Sequence, residues 1–109
     1  MTEDFEELFA RVRSFGWDNR KREWVLRERG IDFDELPSVF DGPTTIRRSD
    51  QRGEVRYAVY GLLDELELVV VCTLRNDVCW IITARRASRN ERKRYHHRLP
   101  RRTAPEGQD

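Results

Sequence analysis

Two apolar segments separated by a short polar turn constrain the fold of this chain more than any other feature. Residues 66–74 and 78–84 carry apolar, often β-branched side chains on both faces, which is typical of central strands covered on both sides. The dipeptide Asn76-Asp77 between them predicts a two-residue turn. The two segments are therefore expected to form an antiparallel hairpin at the centre of a sheet.

The same turn predicts where the two cysteines lie. With two turn residues, Cys72 faces Ile81 and Cys79 faces Leu74, so the two sulfurs are diagonal neighbours on one face of the sheet, with Cα atoms roughly 7–8 Å apart. That separation is at or beyond the limit for a disulfide. Both cysteines are expected to be reduced core residues, and two histidines adjacent in sequence do not complete a zinc site with them.

Residue periodicity predicts the elements around this hairpin. Apolar side chains at helical spacing and helix-capping residues indicate helices before and after the strands. Residues 44–53, with three arginines, are expected to form an exposed loop, and residues 61–65 to turn the chain. The predicted elements are helices over 2–14, 19–29 and 33–40, a strand over 55–60, the two hairpin strands, and a helix over 89–98.

Several positions in these helices carry specific expectations. Thr2 can cap the first helix, and on the second Lys21 shares a face with Trp24, which is expected to be a core residue. Ser88-x-x-Glu91 is a capping box that opens the last helix. The fold class is α+β: a small antiparallel β-sheet with N-terminal helices packed on it and a basic C-terminal helix.

Charge is distributed unevenly along the chain, whose formal net charge is +1. Residues 1–84 sum to −5, whereas residues 85–102 sum to +8, with Glu91 as their one acid. Of the 21 basic residues 19 are arginine, whose planar guanidinium binds phosphate in two places and stacks on bases. The basic end indicates a nucleic acid or an acidic partner, and a solubilising tail is the alternative.

The organisation along the chain is expected to be simple. We predict an amphipathic N-terminal helix extension over 1–15, one domain over 16–98 and a disordered tail over 99–109. The acidic first helix is expected to pack through its apolar stripe, the less favoured alternative being a shield over the basic last helix. An acidic start and the lack of an apolar run of membrane-spanning length predict a cytoplasmic protein without a membrane partner.

The stretch from Leu68 to Tyr95 resembles the signature of a known family. It holds an apolar strand ending Thr-Leu-Arg, a turn, then Ile-Ile-Thr-Ala-Arg-Arg-Ala-Ser-x-x-Glu-Arg-x-x-Tyr. The family pattern has Ser and Thr at the third and eighth of these positions. Over residues 15–95, and most densely from Ile81 to Tyr95, the chain is similar to BrnT toxins of type II toxin–antitoxin systems.

That resemblance implies a RelE-like fold and a metal-independent endoribonuclease that inhibits translation. It also implies neutralisation by a BrnA-like antitoxin, in a heterotetramer that contacts operon DNA through the antitoxin. The chain departs from the family where Glu28-Arg29-Gly30 stands for Lys-His-Gly, so that Arg29 replaces a histidine linked to toxicity, and where Val25 replaces a common asparagine.

RNA cleavage without metal needs a proton acceptor for the 2′-hydroxyl, a group that neutralises charge on the phosphate, and a proton donor for the leaving oxygen. Arg85 and Arg86, at the exit of a strand, meet the second need, and Arg29 adds to it. Lys21 could accept the proton only if burial favoured its neutral form, and Glu91 only if its capping box left it free. The candidate catalytic residues are Lys21, Arg29, Arg85, Arg86 and Glu91, with no metal or cofactor.

The last helix is the expected RNA-binding surface. Its candidate contacts are Arg89, Arg92, Lys93 and Tyr95, whereas His96 and His97 are expected to be simply solvated. Two other functions stay open: a non-catalytic descendant that binds RNA or a BrnA-like partner, and a plain protein-interaction module whose basic end docks on an acidic protein.

Overall fold

A five-stranded sheet forms the centre of the structure, a computed structural model that describes residues 4–99. Its strand order is β1-β5-β4-β3-β2, and β1 is parallel to β5 while the other pairs are antiparallel. The α+β class is confirmed, but the sheet is mixed rather than antiparallel. The elements are α1 (Phe5–Ala10), β1 (Ser14–Trp17), α2 (Asn19–Arg29), a first 3₁₀ helix (Phe33–Asp41), β2 (Thr45–Arg48), β3 (Tyr57–Leu63), β4 (Leu66–Arg75), β5 (Val78–Arg86), α3 (Arg89–Tyr95) and a second 3₁₀ helix (His96–Arg98).

The hairpin predicted from the apolar segments is confirmed as β4 and β5. Cys72 pairs with Ile81 and Cys79 with Leu74, and both cysteines are free and buried. A hydrogen bond with Cys79, together with burial, raises the pKa of the Cys72 thiol. The Cys72 thiol is therefore held in its neutral form in the core, as expected of a residue that packs rather than reacts.

The first predicted helix is too long. Asp4 caps α1, accepting a hydrogen bond from the Glu7 N–H at 3.1 Å, whereas the predicted cap Thr2 lies outside the described residues. The chain leaves α1 after Ala10 and pairs with the edge of β5 as β1. Gly16 allows this pairing, because a Cβ there would lie 2.9 Å from the Trp80 ring.

The helix predicted over 19–29 is confirmed, and the next helix forms as a 3₁₀ helix. Asp18 caps α2, and Gly30 ends it with a φ of 72° in the left-handed region that glycine adopts readily. The expectation that Trp24 is a core residue is wrong. Val25, one position later, is fully buried, and Trp24 is rotated away from the core and 39% exposed.

Two boundaries around the third strand differ from the prediction. Within the predicted loop 44–53, residues 45–48 form β2, an edge strand paired with β3. Exposed edges commonly carry charged residues, so the arginines here hid a strand from the sequence pattern. Gly61 belongs to β3 rather than to the turn. The position requires glycine because a Cβ there would lie 2.7 Å from Val39 Cγ1.

Alternating residues of the strands bury two separate clusters, one on each face of the sheet. The large cluster lies under α2 and the first 3₁₀ helix and also contacts apolar side chains of α1, such as Phe5 and Phe9. The small cluster lies on the other face and contacts Tyr95 of α3. Since α1 and α3 lie on opposite faces, the described part of α1 does not shield α3. The small cluster consists of Ala58, Tyr60, Val69, Ala87 and Leu99.

The expected boundaries at the chain ends are only partly covered by the structure. Leu99, placed at the start of the predicted tail, is 7% exposed and belongs to the small cluster. The rest of that predicted tail, residues 100–109, lies outside the described residues.

Candidate functional site

The exit of β5 is joined to α3 by an ion pair between two candidate residues. Arg85 donates to both carboxylate oxygens of Glu91, from Nη1 to Oε1 at 2.7 Å and from Nη2 to Oε2 at 2.8 Å. Glu91 also accepts from the Ser88 backbone N–H at 2.8 Å, which completes the predicted capping box. Arg47 on β2 approaches the same carboxylate at 3.7 Å. Glu91 is therefore occupied by cationic and amide donors.

These contacts decide how Glu91 can act. The hydrogen bond from Arg85 is the largest cause that lowers the pKa of Glu91 from 4.5 to about 2. Burial opposes this shift, and the bond from the Ser88 N–H adds a smaller lowering effect. A carboxylate with so low a pKa binds a proton weakly near neutral pH and is a poor general base. The same ion pair holds the Arg85 guanidinium in place, so a phosphate bound to Arg85 would have to lie beside Glu91 or replace it.

Three cations near this pair are not neutralised by an ion pair in the described part of the chain. Within residues 4–99, the side chains of Arg86, Arg89 and Lys93 form neither a salt bridge nor a hydrogen bond, whereas Arg92 donates to the Ala87 carbonyl at 3.0 Å. These unpaired positive charges repel one another, and a bound polyanion would reduce that repulsion.

The helix cations line a groove on the small-cluster side of the sheet, together with one carboxylate. Glu67 reaches into it from β4, where the Tyr60 hydroxyl donates to Oε1 and His96 Nδ1 lies 2.5 Å from Oε2. Burial, followed by the hydrogen bond to Glu67, raises the pKa of the Tyr60 hydroxyl. The groove is lined by Glu67, Arg89, Arg92, Lys93, His96 and His97.

Tyr95 contacts the sheet with part of its ring and so attaches α3 to it. Its ring lies 5.3 Å from the ring of Tyr60, centre to centre, with the planes tilted by 53°. The Arg98 guanidinium lies 5.8 Å from the Tyr95 ring. Tyr95 is half-buried in these contacts, so only part of its ring is available to a ligand.

The candidates on α2 form a second group, beside residues 83 and 84 of β5. Arg29 donates from Nη1 to the Ala84 carbonyl at 2.8 Å and to Thr83 Oγ1 at 3.2 Å. Lys21 Nζ lies 4.9 Å and the Arg29 guanidinium 5.1 Å from the exposed Trp24 ring. These side chains form an aromatic surface flanked by two positive charges, a combination suited to a nucleobase and its phosphate.

The structure thus separates the sequence-predicted residues by sheet face. Arg85 and Glu91 lie with the helix cations on the small-cluster side, whereas Lys21 and Arg29 lie on the α2 side. Arg86 shares the strand face of Ala84, because side chains two positions apart point the same way, and Ala84 belongs to the large cluster. The end of β5 is the point between the two groups.

Sequence reasoning missed the contribution of the sheet to the groove. Glu67 and Tyr60 were not candidates, and His96 was expected to be solvated. One signal was available: Glu67 is the one acid in the apolar strand β4, between Leu66 and Leu68. A charge at such a position is retained only with partners, which here are the hydroxyl and the imidazole.

Comparison with known proteins adds a family to this geometry. A family model described as the ribonuclease toxin BrnT of type II toxin–antitoxin systems matches residues 17–91. A search of curated proteins found no significant match. Among the described helices, none has the length and apolar character needed to span a membrane.

Proposed function

This chain belongs to the BrnT family of ribonuclease toxins of type II toxin–antitoxin systems, and from this premise we propose that it cleaves RNA without a metal ion and thereby inhibits translation in the cytoplasm. Membership implies RNA as substrate and an antitoxin as partner. As part of the proposal, that partner is BrnA-like, binds in a heterotetramer and contacts operon DNA, and the fold of the toxin is RelE-like.

The groove beside α3 is the observation that carries this proposal. It gathers Arg89, Arg92 and Lys93 against one carboxylate, Glu67, which already has two partners. Single-stranded RNA offers closely spaced phosphates, which bind to unpaired cations with release of counterions. A groove with uncompensated positive charge, in a ribonuclease family, supports RNA binding at this place.

Within the proposal, the candidate residues at the end of β5, on α3 and on α2 have different roles. Arg85 and Arg86 stabilise the negative charge that builds on the attacked phosphate. Arg89, Arg92, Lys93 and Tyr95 hold the RNA strand, and Glu91 fixes the direction of Arg85. Lys21 and Arg29 bind the RNA on the other side of the β5 end, where Trp24 offers a ring for stacking.

The test compares two double variants that remove the same charge. Arg89→Gln/Lys93→Gln removes two groove cations and breaks no hydrogen bond or ion pair within residues 4–99. Arg11→Gln/Arg13→Gln removes two exposed cations near α1, on the opposite face of the sheet, as the control. Protein from cell-free synthesis is incubated with labelled single-stranded RNA and a chelator, and cleavage and binding are followed at several salt concentrations.

We expect the groove variant to lose cleavage and to lower the log–log salt slope of binding by about 1.4, at roughly 0.7 per phosphate contact. The control should keep both. Equal cleavage and equal salt slopes for the two variants would mean that RNA binds elsewhere on the chain. A wild-type chain that leaves RNA intact and does not slow cell-free translation would refute the ribonuclease function.

A non-catalytic binding protein is the second candidate, and the contacts of Arg29 favour it. Arg29 stands where the family carries a histidine linked to toxicity, and its guanidinium is bound to Ala84 O and Thr83 Oγ1. Arginine does not release a proton near neutral pH, so it does not replace a histidine as base or acid. Arg29→His separates the two functions: a rise in cleavage indicates a weakened site, whereas unchanged cleavage indicates that Arg29 suffices.

A further inference from the structure

The groove contains a carboxylate–imidazole pair whose imidazole lies beyond the matched family residues. His96 follows α3, beyond the matched residues 17–91, and its Nδ1 lies 2.5 Å from Glu67 Oε2. The Glu67 side chain is only 14% exposed, whereas that of His96 is 51% exposed. One member of the pair is thus fixed in the sheet and the other is open to the groove.

We propose that His96 is the proton acceptor for the RNA 2′-hydroxyl and that Glu67 positions it. This inference rests on the proposed ribonuclease function and supplies the base that Glu91 and Arg29 do not provide. A carboxylate that accepts from Nδ1–H selects the tautomer in which Nε2 carries no proton. In the described part of the chain, Nε2 has no hydrogen-bond partner, so its lone pair is available to a substrate.

The chemistry of the step balances with water as the final proton donor. Nε2 of His96 takes the proton of the 2′-hydroxyl while the 2′-oxygen forms a bond to the adjacent phosphorus. The bond from phosphorus to the 5′-oxygen breaks, and that oxygen takes a proton from water. The products are a 2′,3′-cyclic phosphate and a 5′-hydroxyl, and His96 then returns its proton to solvent.

The second contact of Glu67 strengthens the positioning role. The Tyr60 hydroxyl donates to Oε1, and the Ala87 backbone N–H donates at 3.0 Å to the Glu67 carbonyl, so both the side chain and the backbone of Glu67 are anchored. A fixed carboxylate holds an exposed imidazole in one orientation without burying it. The simpler alternative is that the pair only fastens the second 3₁₀ helix to β4.

The charges around His96 come from three elements. The sheet contributes Glu67 and Tyr60, and α3 contributes three cations. His97 of the second 3₁₀ helix lines the same groove. The cations that face His96 from α3 are Arg89, Arg92 and Lys93.

His96→Gln tests the proposal with Arg11→Gln, at an exposed residue outside the groove, as its control. Glutamine at residue 96 can donate an amide N–H to Glu67 but does not act as a base. We expect His96→Gln to slow cleavage by about 10²–10⁴-fold, the usual contribution of a general base, while RNA affinity and melting temperature stay near the wild type. Arg11→Gln should cleave at close to the wild-type rate.

Two further readouts separate catalysis from fastening. The wild-type and Arg11→Gln rates should rise with pH through the range in which imidazoles titrate, and His96→Gln should lack that rise. If His96→Gln does not fold, His96→Ala with added imidazole replaces it: recovery of cleavage supports a missing base, and a folded variant without recovery argues against one.

The outcomes keep this inference apart from the proposed function. If the wild type cleaves RNA and folded His96→Gln retains more than about a tenth of its rate, His96 is not the base although the chain is a ribonuclease. If the wild type binds RNA without cleaving it, the ribonuclease function fails and the assignment of His96 fails with it.

Discussion

Replacing Glu91 by glutamine tests how much the link between β5 and α3 contributes to stability. Glutamine is accepted in a capping box, so Glu91→Gln keeps the acceptor for the Ser88 N–H and removes only the charge that holds Arg85. The substitution therefore isolates the ion pair. Its effect can be estimated from the pKa shift of Glu91.

The pKa of Glu91 falls from 4.5 to about 2 on folding, which corresponds to about 3 kcal/mol at roughly 1.4 kcal/mol per pKa unit. This is an upper bound, because the Arg85 side chain is 38% exposed and water replaces part of the interaction. We therefore expect Glu91→Gln to lower the free energy of unfolding by about 1.5 kcal/mol at neutral pH. For a domain of this size, that corresponds to a melting temperature lower by roughly 10 °C.

The stabilisation by Glu91 should depend on pH in a definite direction. Since folding lowers the pKa of Glu91, ionised Glu91 stabilises the fold fully above pH 4.5, and this stabilisation is lost as the pH falls towards 2. In urea unfolding between about pH 7 and about pH 3, the gap between wild type and Glu91→Gln should narrow as the solution becomes more acidic. Glu28→Gln is the control, because Glu28 and Arg27 form an ion pair at 3.5 Å with both side chains at least half exposed. An equal melting temperature for Glu91→Gln and wild type, or a gap that does not change with pH, would refute the reasoning.

Two further predictions concern the core. Gly61→Ala should lower the free energy of unfolding by about 1–3 kcal/mol, because its Cβ would lie 2.7 Å from Val39 Cγ1. The control Gly42→Ala, with no atom within 4 Å of the added Cβ, should change the free energy of unfolding by less than about 0.5 kcal/mol. Similar values for the two variants in urea unfolding would contradict this packing. Cys72 and Cys79 should resist a thiol reagent in the folded protein and react after unfolding, so fast labelling of the native chain would show that the thiols are not buried.

The parts of the fold that the sequence predicted are those with a strong local signal. The β4–β5 hairpin combines long apolar segments with a turn whose first residue, Asn76, has a φ of 57°, a conformation that asparagine tolerates. α2 and α3 each begin at a side chain that accepts a hydrogen bond from the helix, Asp18 and Ser88. Local hydrogen bonding and periodicity were sufficient for these elements.

The missed strands depend on partners distant in sequence. β1 and β2 contain four residues each and lie at the two edges of the sheet. Such short segments have little intrinsic preference, and their pairing with β5 and β3 decides their conformation. The error at Trp24 has a similar origin, because periodicity identified an apolar helix face but not which of two adjacent apolar residues faced the core.

The candidate site shows the same division between local and distant information. The side chains that α3 supplies were found from charge and from the capping box, because they are adjacent in sequence. The connection of His96 to Glu67 spans 29 residues, and that of Arg29 to Thr83 spans 54. Only the fold brings these pairs together, so the sequence identified the cations but not a base held among them.

The geometry of the groove depends on a helix that is too short to be stable alone. α3 has seven residues, fewer than an isolated helix needs, and none of them is fully buried. Its position is set by the Arg85–Glu91 pair, by the Tyr95 contact with Tyr60, and by the anchoring of the following turn through His96. The large cluster on the opposite face does not include these residues. A substitution that breaks one of these contacts should therefore shift the groove cations while most of the core stays packed, and RNA cleavage should be lost at temperatures where the sheet is still folded.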